Sequence, residues 1–230
     1  QIIYAPTFQA QPVALEKVGL AEQTEKINAS LIALTREAAP GCLVAGDIAT
    51  LAAHLESWNP DCFDTMVENY RRQIRGLIDG GADLLVGETL LYAQEAEAIL
   101  TAAELECAGA VMLSFTMQSD GSLFSGADAG KVLHELESAG ADAVGFNCVA
   151  ADMMTPHLVS KLRRYTSLPL ICKPNAGNPV INKDGIAEYD LSADAFAEIM
   201  KQCAGNGARL LGGCCGTDPS FIAALERALA

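Results

Sequence analysis

The sequence is poor in positive charge. It contains 15 lysines and arginines against 29 aspartates and glutamates, which gives a formal net charge of -14 at pH 7. No cluster of Lys or Arg interrupts this excess, and a negative field repels phosphate backbones and anionic lipid headgroups. We therefore expect neither nucleic acid nor a membrane surface as a partner.

Long apolar runs are also missing. No apolar stretch approaches the roughly 18 residues that a transmembrane helix needs, and the chain does not open with the charged and apolar segments of a secretory signal. Half of the residues are hydrophobic, so the 230-residue chain can bury a sizeable core. We predict an ordered, soluble, cytoplasmic protein.

A disulfide framework is the third feature that the sequence lacks. Eight cysteines in 230 residues are too sparse and too irregularly spaced for a secreted disulfide scaffold. Cys107, Cys172 and Cys203 lie inside apolar segments, and we interpret them as small core residues. The adjacent pair in "GGCCGTDP", residues 212–219, needs another explanation.

Short apolar runs alternate with helical patterns along the chain. The helix signal is clearest over residues 61–79, where apolar residues keep a 3.6-residue period and Gly80-Gly81 ends the helix. Each apolar run is too short for a helix, and together they predict seven strands, at residues 2–8, 42–48, 83–89, 110–116, 142–148, 168–173 and 209–214. Regular βα alternation without a linker predicts one α/β domain over residues 1–230.

An internal repeat favours a barrel over the competing fold, a doubly wound open sheet. The segments "GADLLVGET", "GADAVGFNC" and "GARLLGGCC" begin at Gly81, Gly140 and Gly207, and "GAVMLSFT" begins at Gly109. Each has a glycine start, an apolar middle and a polar or sulfur-containing end. These ends fall at the carboxyl ends of strands, where (β/α)8 barrels carry their active sites.

Seven strands are one fewer than such a barrel requires. The chain begins with Gln1 rather than Met and enters a β-rich run at once. We therefore predict a (β/α)8 TIM barrel that lacks its first βα unit in this chain.

Three cysteines, Cys148, Cys214 and Cys215, fall at the predicted strand ends. Buried small hydrophobes are one interpretation. Adjacent strand residues point to opposite faces, but the glycines around the pair allow both sulfurs to turn inward. Three thiolates suit Zn²⁺ and leave the fourth position open, as a catalytic zinc requires. A glycine-rich phosphate loop ranks lower, because cysteines contribute nothing to it.

Together, "GFNC", "GGCCGTDP", "GET" and "KPNAG" resemble the homocysteine S-methyltransferase family, and the likeness covers almost the whole chain. "APTF" and "SFT…DGSLFSG" are most similar to the methionine-synthase-type branch. The resemblance implies a zinc-dependent methyltransferase whose Zn²⁺ is bound by Cys148, Cys214 and Cys215. It also implies that Glu88 binds the amino group of the substrate and that Asn147 lies beside the metal.

Two alternatives accompany these assignments. For Glu88, the alternative is a solvated carboxylate at a strand end. Thr7 and Phe8, at the top of the first strand, are candidates for a wall of the substrate pocket, and packing in a turn is their alternative.

The implied reaction is methyl transfer to the thiol of homocysteine, giving methionine. A free thiol is mostly protonated at neutral pH, and Zn²⁺ removes that proton. Methylcobalamin carried by another domain or protein, S-methylmethionine, S-adenosylmethionine and betaine all fit as donors. The alternative function is a non-catalytic zinc- or thiol-containing barrel fragment.

One feature of the family is missing from the sequence. Members usually begin with a strand that ends in Asp-Gly and binds the amino and carboxylate groups of the amino acid. We therefore expect the 230-residue chain alone to be weakly stable and poorly active, and an upstream extension of roughly 30 residues to restore both properties.

Overall fold

The computed structural model describes residues 1–52, 54 and 62–230. These residues form two compact units. Unit 1 comprises Gln1–Leu113 and Ala139–Asp142, and unit 2 comprises Ser114–Ser138 and Ala143–Ala230. Parallel strands alternate with helices in both units, which confirms the predicted α/β class. The single domain over residues 1–230 stays a prediction.

Unit 1 contains β1 (Ile2–Tyr4), α1 (Pro12–Glu16), α2 (Thr24–Ala38), β2 (Leu43–Ala49), α3 (Phe63–Asp79), β3 (Leu84–Leu90), α4 (Ala93–Leu105) and the first half of β4 (Val111–Phe115). Its strand order is β1-β2-β3-β4. A short 3-10 turn over Ala21–Gln23 precedes α2.

Helix α3 shows why the helical prediction succeeded. Met66, Tyr70, Ile74 and Leu77 recur on one face at the helical period and are almost completely buried. The helix ends at Asp79, and Gly81 follows with a φ of +84°. The predicted first residue of this helix, residue 61, lies outside the described residues.

Unit 2 contains the second half of β4, α5 (Ala129–Ser138), β5 (Ala143–Ala150), α6 (Thr155–Leu162), β6 (Leu170–Asn175), β7 (Pro179–Ile181), β8 (Ala187–Tyr189), α7 (Ala193–Gly205), β9 (Ala208–Leu211) and α8 (Pro219–Leu229). The strand order is β4-β5-β6-β9, and β7 and β8 form a separate antiparallel hairpin. This hairpin was not predicted. Phe196 of α7 packs edge to face against Phe221 of α8, with ring centroids 5.5 Å apart.

Two strands end three or more residues earlier than predicted. β1 ends at Tyr4 rather than at residue 8, because the chain turns at once and the Thr7 N–H donates to the Ala5 carbonyl. β9 ends at Leu211 rather than at residue 214, because the glycines that follow leave strand geometry.

The core assignment of the cysteines is confirmed at two positions and wrong at one. Cys172 and Cys203 are fully buried. Cys107 is exposed, because it lies in the turn after α4 with a left-handed φ of +54°. Among the described residues, no helix is both long and apolar enough to cross a membrane.

Candidate metal centre

Unit 2 brings three thiols together. Cys148 lies in β5, and Cys214 and Cys215 lie in the loop between β9 and α8. The Cys148 and Cys215 sulfurs are 3.8 Å apart, those of Cys214 and Cys215 are 4.0 Å apart, and all three lie within 4.8 Å of one another. Tetrahedral zinc with Zn–S bonds of about 2.3 Å separates its sulfurs by about 3.8 Å. The spacing therefore suits zinc, and it is far longer than a disulfide bond of about 2.05 Å.

The loop that carries Cys214 and Cys215 is fixed to the end of β6. The Cys214 N–H donates to the Pro174 carbonyl at 2.9 Å, and the Cys215 N–H donates to Asn175 Oδ1 at 3.1 Å. The Cys215 carbonyl accepts from the Ala176 N–H at 2.9 Å. Because these bonds hold the loop backbone outside the strand, two adjacent residues can direct their sulfurs to one point.

Gly216 completes this loop. Its φ is +78°, a conformation that favours glycine, and a Cβ at this position would collide with the ring of Tyr189 in β8. The hairpin therefore packs against the cysteine loop through Tyr189.

Cys148 adopts an unusual backbone conformation. Its φ is +56°, and the register between β5 and β6 shifts between Asn147 and Ala150. A left-handed conformation costs a residue with a side chain about 1–3 kcal/mol and persists only where the surroundings hold it. Irregularities of this kind redirect side chains at the end of a strand.

The surroundings of Cys148 and Cys215 oppose the ionisation of these two thiols. Hydrogen bonding with Cys214, together with burial, raises the pKa of Cys148. Burial and the neighbouring Cys214 raise the pKa of Cys215. A bound divalent cation would reverse this balance, because its charge stabilises several thiolates at once. The donor set and its charge therefore both fit a metal ion.

Asn147 places a polar side chain beside the thiols. It is fully buried, and its Nδ2 lies 3.8 Å from the Cys214 sulfur. Its Oδ1 accepts a hydrogen bond of 2.9 Å from the Ser114 hydroxyl. Unit 2 therefore brings Asn147 next to Cys214, and its place beside a metal stays a prediction.

The other candidate residues belong to unit 1. Glu88 is buried in β3, opposite Ala49 of β2. The Thr7 hydroxyl is also buried; it donates to the Asp47 carbonyl and accepts from the Asp47 N–H, each at 2.9 Å. The Phe8 carbonyl accepts from the Ala49 N–H at 3.1 Å. Roles for Glu88, Thr7 and Phe8 in substrate binding stay predictions.

Sequence reasoning missed a buried carboxylate in unit 1. Glu95 of α4 accepts hydrogen bonds from the Thr50 hydroxyl and the Leu51 N–H, both at 2.7 Å, and from the Leu91 N–H at 3.1 Å. It thereby ties the loop after β2 to the loop after β3. A glutamate in the first turn of a helix was the available sequence signal.

The model of the family described as homocysteine S-methyltransferase matches residues 1–229 of this chain. The chain belongs to this family. The resemblance inferred from the strand-end motifs is therefore confirmed.

Solved structures of the homocysteine methyltransferase MmuM from Escherichia coli share the fold of this homocysteine S-methyltransferase family member. The oxidized form matches with a TM-score of 0.84 and 28% identity, over 99% of this chain and 79% of that chain. The metallated form matches with a TM-score of 0.83 over the same shares. These matches confirm the predicted barrel fold class.

Curated relatives include the methionine synthases of Mycobacterium tuberculosis and Mycobacterium leprae. They are 33% and 32% identical to this chain over 167 residues, which is 70% of the chain. The chain spans 14% of the length of each of these relatives.

Proposed function

We propose that this chain transfers a methyl group to the thiol of homocysteine, giving methionine, with Zn²⁺ bound by Cys148, Cys214 and Cys215. The observation that carries the proposal is the close approach of three sulfurs at the spacing of zinc ligands. Membership of the homocysteine S-methyltransferase family over residues 1–229 supports it. So does the metallated form of the similar MmuM enzyme.

Bound Zn²⁺ would supply a positive charge that keeps the sulfur of homocysteine deprotonated at neutral pH. Three cysteine ligands use three tetrahedral positions, so one position is available to the substrate. Asn147 contributes an N–H group beside Cys214, and the ring of Tyr189 covers the backbone of Gly216.

Glu88 is the residue that we assign to the α-ammonium group of the substrate. Its carboxylate lies near the carboxyl end of a parallel strand, where barrel enzymes bind their ligands, and it is shielded from solvent. A shielded carboxylate forms a stronger charge-assisted hydrogen bond than an exposed one. Thr7 and Phe8 would act as a wall by shape, since the Thr7 hydroxyl already bonds to Asp47.

The similarity to two methionine synthases favours methylcobalamin, carried by another domain or protein, as the methyl donor. S-Methylmethionine, S-adenosylmethionine and betaine are the other donors to be tested. A cytoplasmic location and the absence of nucleic-acid and membrane partners remain part of the proposal.

Zinc content and methionine formation test the proposal together. The purified, reduced protein should contain about one zinc per chain, and it should form methionine from homocysteine with one of the four donors. Cys215→Ser should lose both properties. A protein that binds zinc but forms no methionine with any donor would support the non-catalytic alternative.

A further inference from the structure

The motif "SFT" at the end of β4 carries two hydroxyl groups that the proposed reaction does not use. Ser114 and Thr116 are two residues apart, and alternate residues of an extended chain share a side. The Ser114 hydroxyl donates to Asn147 Oδ1 at 2.9 Å, and the Thr116 hydroxyl donates to the Cys148 carbonyl at 3.3 Å. The two hydroxyls therefore contact the two successive residues of "NC" in β5.

Ser114 determines which end of the Asn147 amide faces the sulfur. An asparagine side chain offers an acceptor oxygen at one end and a donor NH₂ group at the other. A thiolate ligand only accepts, so the amide must present its NH₂ group to Cys214. The Ser114 hydroxyl satisfies the oxygen that this orientation leaves buried. Ser114 is 1% exposed and Asn147 is fully buried, so solvent cannot take over this role.

Thr116 acts on the backbone of the neighbouring residue. Cys148 has the left-handed φ of +56°, and a residue in this conformation needs external support. The hydrogen bond from the Thr116 hydroxyl to the Cys148 carbonyl joins that strained peptide to the residue that directly follows β4. This hydrogen bond fixes the direction of the peptide group that follows Cys148.

We propose that Ser114 and Thr116 are positioning residues of the metal centre, which orient Asn147 and Cys148 and thereby set the metal affinity of the cysteine cluster. This inference rests on the proposed zinc site. Hydrogen-bond partners of this kind typically change metal affinity by about 10–100-fold when they are removed.

Zinc affinity, measured by competition with a chromophoric chelator, tests the inference on the reduced full chain. Ser114→Ala should raise the zinc dissociation constant by about tenfold, and Thr116→Val should raise it less, because its hydrogen bond is longer. Ser114→Thr and Thr116→Ser keep a hydroxyl and should bind zinc like the parent protein.

A matched control is Thr166→Val in the same unit. Thr166 is also buried, and its hydroxyl accepts from the Leu168 N–H at 3.2 Å, outside the cysteine cluster. This variant should lose stability without a change in zinc affinity. Thermal unfolding of each metal-free variant shows how much of any effect is structural.

A double substitution shows whether Ser114 acts through Asn147. In an Asn147→Ala background, Ser114→Ala should cause no further loss of zinc affinity, since its partner is gone. A full tenfold effect in that background would overturn the inference. So would unchanged affinity in Ser114→Ala, or equal losses in Ser114→Ala and Ser114→Thr.

These failures differ from a failure of the proposed function. If the parent protein binds zinc tightly and loses it in Cys215→Ser, while Ser114→Ala has no effect, only the positioning role is wrong. If the parent protein binds no zinc, both proposals are wrong.

Discussion

Two carboxylates of unit 1 and two thiols of unit 2 have pKa values that are shifted in opposite directions. In unit 1, Glu106 pairs with Arg71 at 2.8 Å and with Arg75 at 3.0 Å, and Glu25 pairs with Arg72 at 2.8 Å. The hydrogen bond from Arg75 lowers the pKa of Glu106, and the hydrogen bond from Arg72 lowers the pKa of Glu25. These carboxylates are stable as charged groups within the fold.

In unit 2, the pKa of Cys148 is raised by its hydrogen bond with Cys214 and by burial, and the pKa of Cys215 is raised by burial and by the neighbouring Cys214. The comparison separates two kinds of ionisable cluster. A carboxylate whose charge is paired within the chain stabilises the fold, and a cluster of thiols with raised pKa values is a candidate for binding a cation. The following variants test this difference.

Cys214→Ser should have the largest effect on zinc. A hydroxyl is a poor replacement for a thiolate ligand, so zinc affinity should fall by more than about 100-fold, beyond the range for partners that do not touch the metal. Elemental analysis and chelator competition measure this loss. Cys203→Ala is the matched control, because Cys203 is a buried thiol of the same unit that lies in α7. This control should retain zinc. Unchanged zinc content in Cys214→Ser would refute the ligand assignment.

Glu95→Gln should have the largest effect on the stability of unit 1. In the parent protein, backbone N–H groups donate to the Glu95 carboxylate. The substitution places an NH₂ group against these donors, so the free energy of unfolding should fall by about 3 kcal/mol. Urea unfolding measures this change, and zinc affinity of the folded protein should stay constant. The control is Glu97→Gln, at an exposed position of the same helix, which should change the free energy of unfolding by less than about 0.5 kcal/mol. Equal effects of the two variants would contradict the structural role of Glu95.

Glu88→Gln tests whether every buried carboxylate of unit 1 is structural. If Glu88 binds the ammonium group, homocysteine binding should weaken by about 1.5–3 kcal/mol, with zinc retained. Calorimetric titration of the zinc-loaded protein with homocysteine measures this change. Unchanged homocysteine affinity would show that Glu88 has a structural role, like Glu95.

Glu106→Gln should have the smallest effect of these variants. It should lower the melting temperature by an amount that depends on pH. Because the folded pKa of Glu106 lies below its usual value, its contribution to stability is present above about pH 4.3 and is lost as the pH falls through the folded pKa. The melting temperatures of parent and variant should therefore differ at pH 7, and this difference should shrink as the pH falls below about 4.3. A difference that stays constant as the pH falls would show that packing, rather than charge, is responsible.

The sequence predicted the parts of the fold that depend on regular periodicity. The buried face of α3 was predicted because its apolar residues repeat with a period of 3.6 residues, and the seven strands of the main sheet were predicted because each is a short apolar run. The β7–β8 hairpin was missed, because Val180 and Ile181 are exposed and no core-facing alternation marks the strands.

For the candidate site, strand-end offsets predicted that Cys148, Cys214 and Cys215 would meet. The offsets could not predict how they meet, because Cys148 departs from strand geometry and the Cys214–Cys215 pair lies beyond β9. Cys107 was misassigned, since local composition does not reveal that a helix ends two residues earlier and turns the residue outward.

Proton release on homocysteine binding tests the central claim most directly. Calorimetric titrations at pH 7 in buffers of different ionisation enthalpy count the protons released per homocysteine bound. A free thiol is mostly protonated at this pH, so the zinc-loaded protein should release about one proton per homocysteine. The metal-free protein and Cys214→Ser should release none. Homocysteine binding to the zinc-loaded protein without proton release would contradict the account.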